Sequence, residues 1–204
     1  MSINTIIFDI GNVLVDFRWK GFIADFGYDK EIQERIAKAT VLDKVWHEFD
    51  RGILGEEELM DKFVANDPGI EDEIRRTYRS IKGLLVQFDY TKPWIRELKD
   101  KGVRVLYLSN YSEKADRECA DEMDFFPLMD GGILSYKVKL IKPDAAIYEL
   151  LTETYGLTPS ECLFFDDTPV NVEAARKHGY NAEVFTGYET AMTHLNRYTS
   201  PTSV

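Results

Sequence analysis

Apolar residues in this chain are gathered into short blocks, and several blocks end on a conspicuous polar residue. Residues 3–8 form an apolar run rich in β-branched side chains that stops at Asp9, with Gly11 and Asn12 just beyond. Residues 103–108 form a second run, ending at Ser109 and Asn110. Residues 162–165 form a third, ending at Asp166 and Asp167, and 182–185 a weaker fourth. Short apolar runs bounded by turn residues predict buried strands. Between them the spacing becomes helical. Residues 91–101 open with a Thr and an early Pro and stop at Gly102. Ser112 can cap a helix running to about Met123. Pro143 opens a helix with Ile147, Leu150 and Leu151 on one face, stopped by Gly156, and Thr168-Pro169 opens another, stopped by Gly179. Strands alternating with helices predict an α/β fold whose parallel sheet is covered on both faces.

Residues 17–88 interrupt that alternation. They are rich in charge and helix formers, with apolar spacing such as Ile32, Ile36 and Ala39, and no clear buried strand. This segment is expected to be a helical insertion between the first and second core strands. The expected division is a core of residues 1–16 and 89–204 and an inserted cap of residues 17–88.

Composition narrows the function. At 204 residues and 44% hydrophobic, the chain can build a proper core. Twenty-five basic against thirty-six acidic residues give a net charge of −11. Such a surface repels polyphosphate, so nucleic acid and anionic membranes are poor partners, and a small anion needs a metal or local cations to reverse the field. No apolar run could span a bilayer, no secretory signal pattern precedes the first strand, and the two cysteines, Cys119 and Cys162, have no metal-ligand spacing. The expected setting is a reducing cytoplasm.

The polar residues at the strand ends carry the candidate chemistry, because parallel α/β sheets keep their sites there. A carboxylate at Asp9 can attack phosphorus, although a turn Asp capping local amides has the same sequence appearance. Ser109 and Asn110 can hold phosphoryl oxygens, or can simply make a turn. Lys142 opposes the dipole of the helix it precedes; it is reasonable there if it neutralises Asp9 and a bound phosphate, and otherwise is a surface lysine. In those roles it is expected to act through charge and to matter little for stability. Asp166-Asp167, with Asn171 one helical turn on, would repel each other unless a cation or hydrogen bonds compensate; Mg²⁺ suits such hard oxygen donors, and a helix cap is the plainer alternative.

Taken together, the order Asp, Ser, Lys-Pro, Asp-Asp resembles the haloacid dehalogenase superfamily, in the branch with a helical cap after the first motif. Phe8-Asp9-Ile10-Gly11-Asn12-Val13, Leu108-Ser109-Asn110, Ile141-Lys142-Pro143 with Ile147-Tyr148, and Phe164-Phe165-Asp166-Asp167 with Asn171 are similar to the sugar-phosphate phosphatases related to α-D-glucose-1-phosphate phosphatase. A cap stretch from Glu48 to Leu59 around Arg51-Gly52 also looks similar. The resemblance implies a Rossmann-like three-layer parallel sheet core with an inserted helical cap over the site. It implies Asp9 as nucleophile, with Mg²⁺ held by Asp9, the backbone carbonyl of Gly11 and Asp167. Ser109, Asn110 and Lys142 would hold the phosphate of a small phosphorylated metabolite, with a sugar phosphate among the candidates.

One position departs from the superfamily pattern. Most of its phosphatases place a second Asp two residues after the nucleophile as general acid and base; here Gly11 stands there. Asp16 is the nearest other carboxylate. Without an acid, aryl and anomeric phosphates should turn over better than primary-alcohol phosphates. Two alternatives stay open: 2-haloacid dehalogenation, whose enzymes also lack the second Asp but tend to lose the paired acids, and a catalytically silent binding protein. Trp46, His47, Phe49 and Arg51 are the candidate specificity residues of the cap.

Overall fold

The computed structural model describes residues 3–199; residues 1, 2 and 200–204, which the expected core includes, lie outside the described residues. Five parallel strands make the central sheet, in the order β5–β4–β1–β6–β7: β1 (Thr5–Phe8), β4 (Arg104–Ser109), β5 (Gly132–Leu134), β6 (Cys162–Asp166) and β7 (Asn181–Val184). The first strand lies in the middle. Its register pairs Phe8 with Tyr107 on one side and with Phe165 on the other. Asp9 therefore stands level with Leu108 and Asp166, and the three predicted strand ends meet at one edge of the sheet.

Pleating sends alternate side chains of β1 to opposite faces. Ile6 and Phe8 join a cluster containing Trp94, Ile95 and Leu98 from α6 (Thr91–Asp100). Ile7 joins another with Ile147, Tyr148 and Leu151 from α9 (Ala145–Tyr155) and Val172 and Ala175 from α10 (Pro169–Lys177). Burial on both faces explains why the strands read as continuous apolar runs. The result is the expected α/β three-layer arrangement.

Residues 19–78 carry five helices: α1 (Trp19–Ala24), α2 (Lys30–Ala39), α3 (Val45–Arg51), α4 (Glu56–Asn66) and α5 (Glu71–Tyr78). They close around Trp46, whose ring lies 5.1 Å from Phe49, 5.9 Å from Tyr78 and 6.1 Å from Phe63. The insertion is not helical throughout, however. β2 (Val15–Phe17) pairs antiparallel with β3 (Leu85–Gln87), so both ends of the segment are strand. Three residues per strand are too few for a period-2 signal, and Val86 is exposed.

Three further details differ from expectation. β5 was not anticipated; it is three residues long and starts at Gly132, where a Cβ would lie 2.3 Å from the carbonyl oxygen of Tyr107. The helix capped by Ser112, whose Oγ accepts the Ala115 N–H, is α7 (Glu113–Glu118); it gives way to a 3₁₀ turn over Ala120–Met123. Pro143 lies one residue outside its helix, because Asp144 is the N-cap. The remaining helices are α8 (Ser135–Val138) and α11 (Tyr188–Thr199).

Candidate active site

Asp9 is fixed by its own turn and by the sheet. Its N–H donates to the Phe165 carbonyl at 2.8 Å, and its Oδ1 accepts the Ile10 N–H at 2.7 Å. The same oxygen lies 2.9 Å from Lys142 Nζ, which is 2.6 Å from Asp166 Oδ2. Lys142 is 1% exposed and Asp166 fully buried. Burial works against the Lys142 ammonium, but the Asp166 and Asp9 carboxylates overcome it and hold its pKa above the ordinary value. Asp9 goes the other way: burial, with the charges of Asp166 and Asp167, outweighs the help of Lys142 and pushes it up to about 7.

The paired acids have different partners. Asp166 is turned inward, with Oδ1 accepting the Thr168 N–H at 2.8 Å and the Asn171 amide at 3.1 Å. Asp167 is half-buried and its Oδ2 accepts the Asn12 amide at 2.8 Å. One carboxylate organises the lysine; the other faces the cavity. Ser109 is buried at the end of β4, and its Oγ makes only a 3.4 Å contact with the Asn110 carbonyl. Asn110 lines the cavity but braces the lysine: its Oδ1 accepts the Lys142 N–H at 2.8 Å and its Nδ2 donates to the Lys142 carbonyl at 2.9 Å. The direct phosphate contact expected of Asn110 is therefore joined by a role in placing Lys142.

These residues floor a cavity of about 420 Å³. Asp9, Gly11, Ser109, Asn110, Lys142 and Asp167 all line it. Its other walls are mainly apolar, with Phe17, Trp19, Val41, Trp46, Ile81 and Leu84. Of the four cap candidates, Trp46, His47 and Phe49 line it. Arg51 does not; it pairs with Glu48 and with Asp144 at 3.5 Å. Asp16 is also absent from the wall, because β2 carries it into the small antiparallel sheet opposite Val86.

Two contributors went unrecognised in the sequence. Asn12 has φ 57°, a left-handed conformation asparagine tolerates, and its side chain joins Asp167 to the Phe17 N–H. The signal for it was the Gly-Asn turn itself. Asp50, at the end of α3, lines the cavity with its carboxyl pushed up to about 8 by burial and by the charge of Asp9. The signal for it was its place beside Arg51-Gly52 in the similar cap stretch, which did not distinguish it from its neighbours.

Asp9, Asp166 and Asp167 can each offer an oxygen such that the three lie within 4.8 Å of one another. Lys142 pairs with Asp9 and Asp166 while Asp167 adds a third carboxylate nearby, and burial first, then the charges of Asp166 and Asp167, raises Asp9. The donor set is all hard oxygen, which fits Mg²⁺ better than a soft metal.

Comparison with known proteins places the fold and the family. Residues 3–179 match the family described as haloacid dehalogenase-like hydrolase. A phosphatase of Mycobacterium tuberculosis is 28% identical over 89% of this chain and 87% of its own. The phosphorylated carbohydrates phosphatase of Thermotoga maritima is 25% identical over 85% of this chain and 81% of its own. Among solved structures, a HAD family enzyme from Bacteroides thetaiotaomicron superposes with a TM-score of 0.72 at 22% identity, covering 95% of this chain and 99% of its own. That enzyme has also been solved with magnesium and inorganic phosphate. The fold and the strand-end cluster define an α/β hydrolase. The chain belongs to the haloacid dehalogenase-like hydrolase family.

Proposed function

We propose that this hydrolase is a Mg²⁺-dependent phosphatase that passes the phosphoryl group of a small metabolite through Asp9. The observation that carries the reading is the cluster itself: a carboxylate 2.9 Å from a buried lysine, beside a second carboxylate that Asn12 holds at the cavity wall. Phosphatases of matching length from two bacteria support it, as does the magnesium and phosphate bound by a structural neighbour.

In this reading an Asp9 oxygen attacks phosphorus and the bond to the leaving oxygen breaks, giving an aspartyl-phosphate that water then hydrolyses. Lys142 Nζ and Ser109 Oγ hold the phosphoryl oxygens, with Asn110 fixing the lysine backbone. Asp9, Asp167 and the Gly11 carbonyl would hold Mg²⁺, with Asn12 orienting Asp167. The metal would offset phosphate charge and keep Asp9 ionised. Residues 17–88 serve as the cap over a core of residues 1–16 and 89–204. The apolar wall favours a leaving group with apolar or aromatic surface over a bare polyol, so a sugar phosphate is the weaker candidate. A cytoplasmic setting suits two free, buried cysteines; among the described residues no helix is long and apolar enough to cross a membrane.

The test is hydrolysis of an aryl phosphate with and without chelator. Activity should vanish with chelator and return with Mg²⁺. Full activity in chelator would remove the metal and, with it, this form of the mechanism; release of halide from a 2-haloacid under those conditions would replace it with dehalogenation.

A further inference from the structure

We propose that Asp50, reaching the site from the insertion, is the general acid and base whose usual place Gly11 occupies. The inference rests on the phosphatase reading above and deepens it. Gly11 has no side chain to move a proton, and Asp16 lies off the cavity. Asp9, Asp50 and Asp167 are the acidic side chains on the cavity wall. Asp9 is committed to phosphorus and Asp167 is held by Asn12 beside the proposed metal position.

The backbone of Asp50 is firmly seated. Its carbonyl accepts Ser135 Oγ at 2.6 Å, and the fully buried Ser135 also accepts the Tyr111 N–H at 2.8 Å. The next two residues continue the seam onto the core. Arg51 reaches Asp144, and the Gly52 carbonyl accepts Lys139 Nζ at 2.5 Å. Gly52 itself packs so closely that a Cβ there would lie 2.8 Å from the Cβ of Tyr136. The end of α3 is thus pinned to β5–α8 of the core, which sets Asp50 over the floor without tying up its carboxyl. That carboxyl makes no hydrogen bond or ion pair to a described residue, and Asp9 and Lys142 are the charges it feels. Burial next to a like charge favours its protonated form, which is the form an acid needs. His47 also lines the cavity, but it is exposed and no described residue makes a hydrogen bond or ion pair to its ring.

The proton balance is complete. As Asp9 attacks phosphorus and the P–O bond to the leaving group breaks, the electron pair stays on the leaving oxygen. The Asp50 carboxyl gives that oxygen its proton, and an alcohol departs. The resulting Asp50 carboxylate then takes a proton from the water that attacks the aspartyl-phosphate. The bond from phosphorus to Asp9 breaks, inorganic phosphate is released, and Asp50 is again protonated.

The experiment is Asp50→Asn in the full chain with Mg²⁺, measuring kcat/KM for 4-nitrophenyl phosphate and for n-hexyl phosphate, because kcat/KM covers the steps through formation of the aspartyl-phosphate and leaves out its hydrolysis, which both substrates share. A phenolate leaves without a proton and an alkoxide does not, so the ratio of the two rates reads the acid and is independent of the fraction of protein that is folded. The hexyl rate should fall by ~10² or more, and the aryl rate by about tenfold or less. Asp50→Glu should keep a ratio close to that of the wild type. Equal losses on both substrates would show a merely structural role and overturn the proposal, as would an undiminished hexyl rate. Failure of the phosphatase reading looks different: the unaltered protein would then hydrolyse neither ester.

Discussion

Two lysines in this molecule each sit between two carboxylates, and they do different work. Lys142 lies between Asp9 and Asp166 at 2.9 and 2.6 Å. Lys114, on α7, lies between Glu56 and Glu118 at 2.8 and 3.2 Å and also donates to the Arg79 carbonyl. The distances are alike; the surroundings are not. The side chains at the site are 1%, 12% and 0% exposed, those at the seam 10%, 51% and 15%. At the site burial dominates and Asp9 is pushed up to about 7. At the seam the partners dominate. The hydrogen bond from Lys114 holds Glu56 below its ordinary value, and Glu118, although burial acts to raise it, is brought down by the Ile81 N–H, Lys114 and Ser80. The same three charges make a poised, under-compensated cluster in one place and a settled strut between insertion and core in the other.

The largest expected effect comes from removing the poised member. Asp9→Asn should bring turnover of every phosphate ester to background, since an amide cannot serve as the nucleophile. Wild-type rates in that variant would end the covalent mechanism and erase the contrast between the two clusters. Lys142→Met comes next. Turnover should fall by ~10²–10³-fold, the usual cost of a lost electrostatic stabiliser. The sequence suggested that stability would be untouched, and the burial of Lys142 corrects this. Breaking one side of a buried ion pair typically costs ~3–5 kcal/mol, and here Asp166 would be left without its cation. A thermal midpoint unchanged from the wild type would mean that water reaches this cluster freely. An active Lys142→Met enzyme would remove the residue from the site.

Gly11→Asp tests the gap in the motif at smaller cost. Gly11 has no positive φ, and a Cβ there meets nothing within 4 Å. The variant should fold with a stability change within ~1 kcal/mol. A large loss measured by denaturant unfolding would show that the turn needs glycine after all.

What could be read from the sequence followed the chemistry of strands. Asp9, Ser109 and Asp167 were legible because β1, β4 and β6 are central strands largely buried on both faces, so each is a mainly apolar run with an abrupt polar end. Lys142 was legible from its place before Pro143 and Asp9 as the charge it faces, but the bracing of its backbone by Asn110, 32 residues away in the chain, was not. Asp50 lies in the cap stretch that looked similar to the sugar-phosphate phosphatases, but no pattern singled it out there as a site residue. It is one of thirty-six acidic residues, on a charged helix, and its place is set by a hydrogen bond to Ser135, 85 residues distant. Asp16 was nearer in sequence and lies farther from the chemistry, because β2, too short to recognise, turns it into the small sheet.

The smallest effect belongs to the seam, and it has the opposite sign to that of the site. Glu56 and Glu118 have folded pKa values below the ordinary 4.5, so the folded state binds their protons less tightly than the unfolded chain. Their contribution is present above pH 4.5 and is lost as the pH falls through the lowered values. Asp9, raised from 3.8 to about 7, binds its proton more tightly when folded, so in the metal-free protein its contribution declines as the pH rises between those values. Thermal midpoints of chelated protein across pH 3–8 should separate the two. Lys114→Met should flatten the acid limb and lower the midpoint by an amount worth ~1 kcal/mol, because Glu56 is half exposed and solvent screens its share. Asp9→Asn should make the neutral limb shallower, with the raised Asp50 keeping part of it, and leave the acid one. The aryl phosphatase rate of Lys114→Met should stay within about threefold of the wild type, since the strut touches no reacting atom; a rate loss as deep as that of Lys142→Met would show that the seam and the site form one cluster.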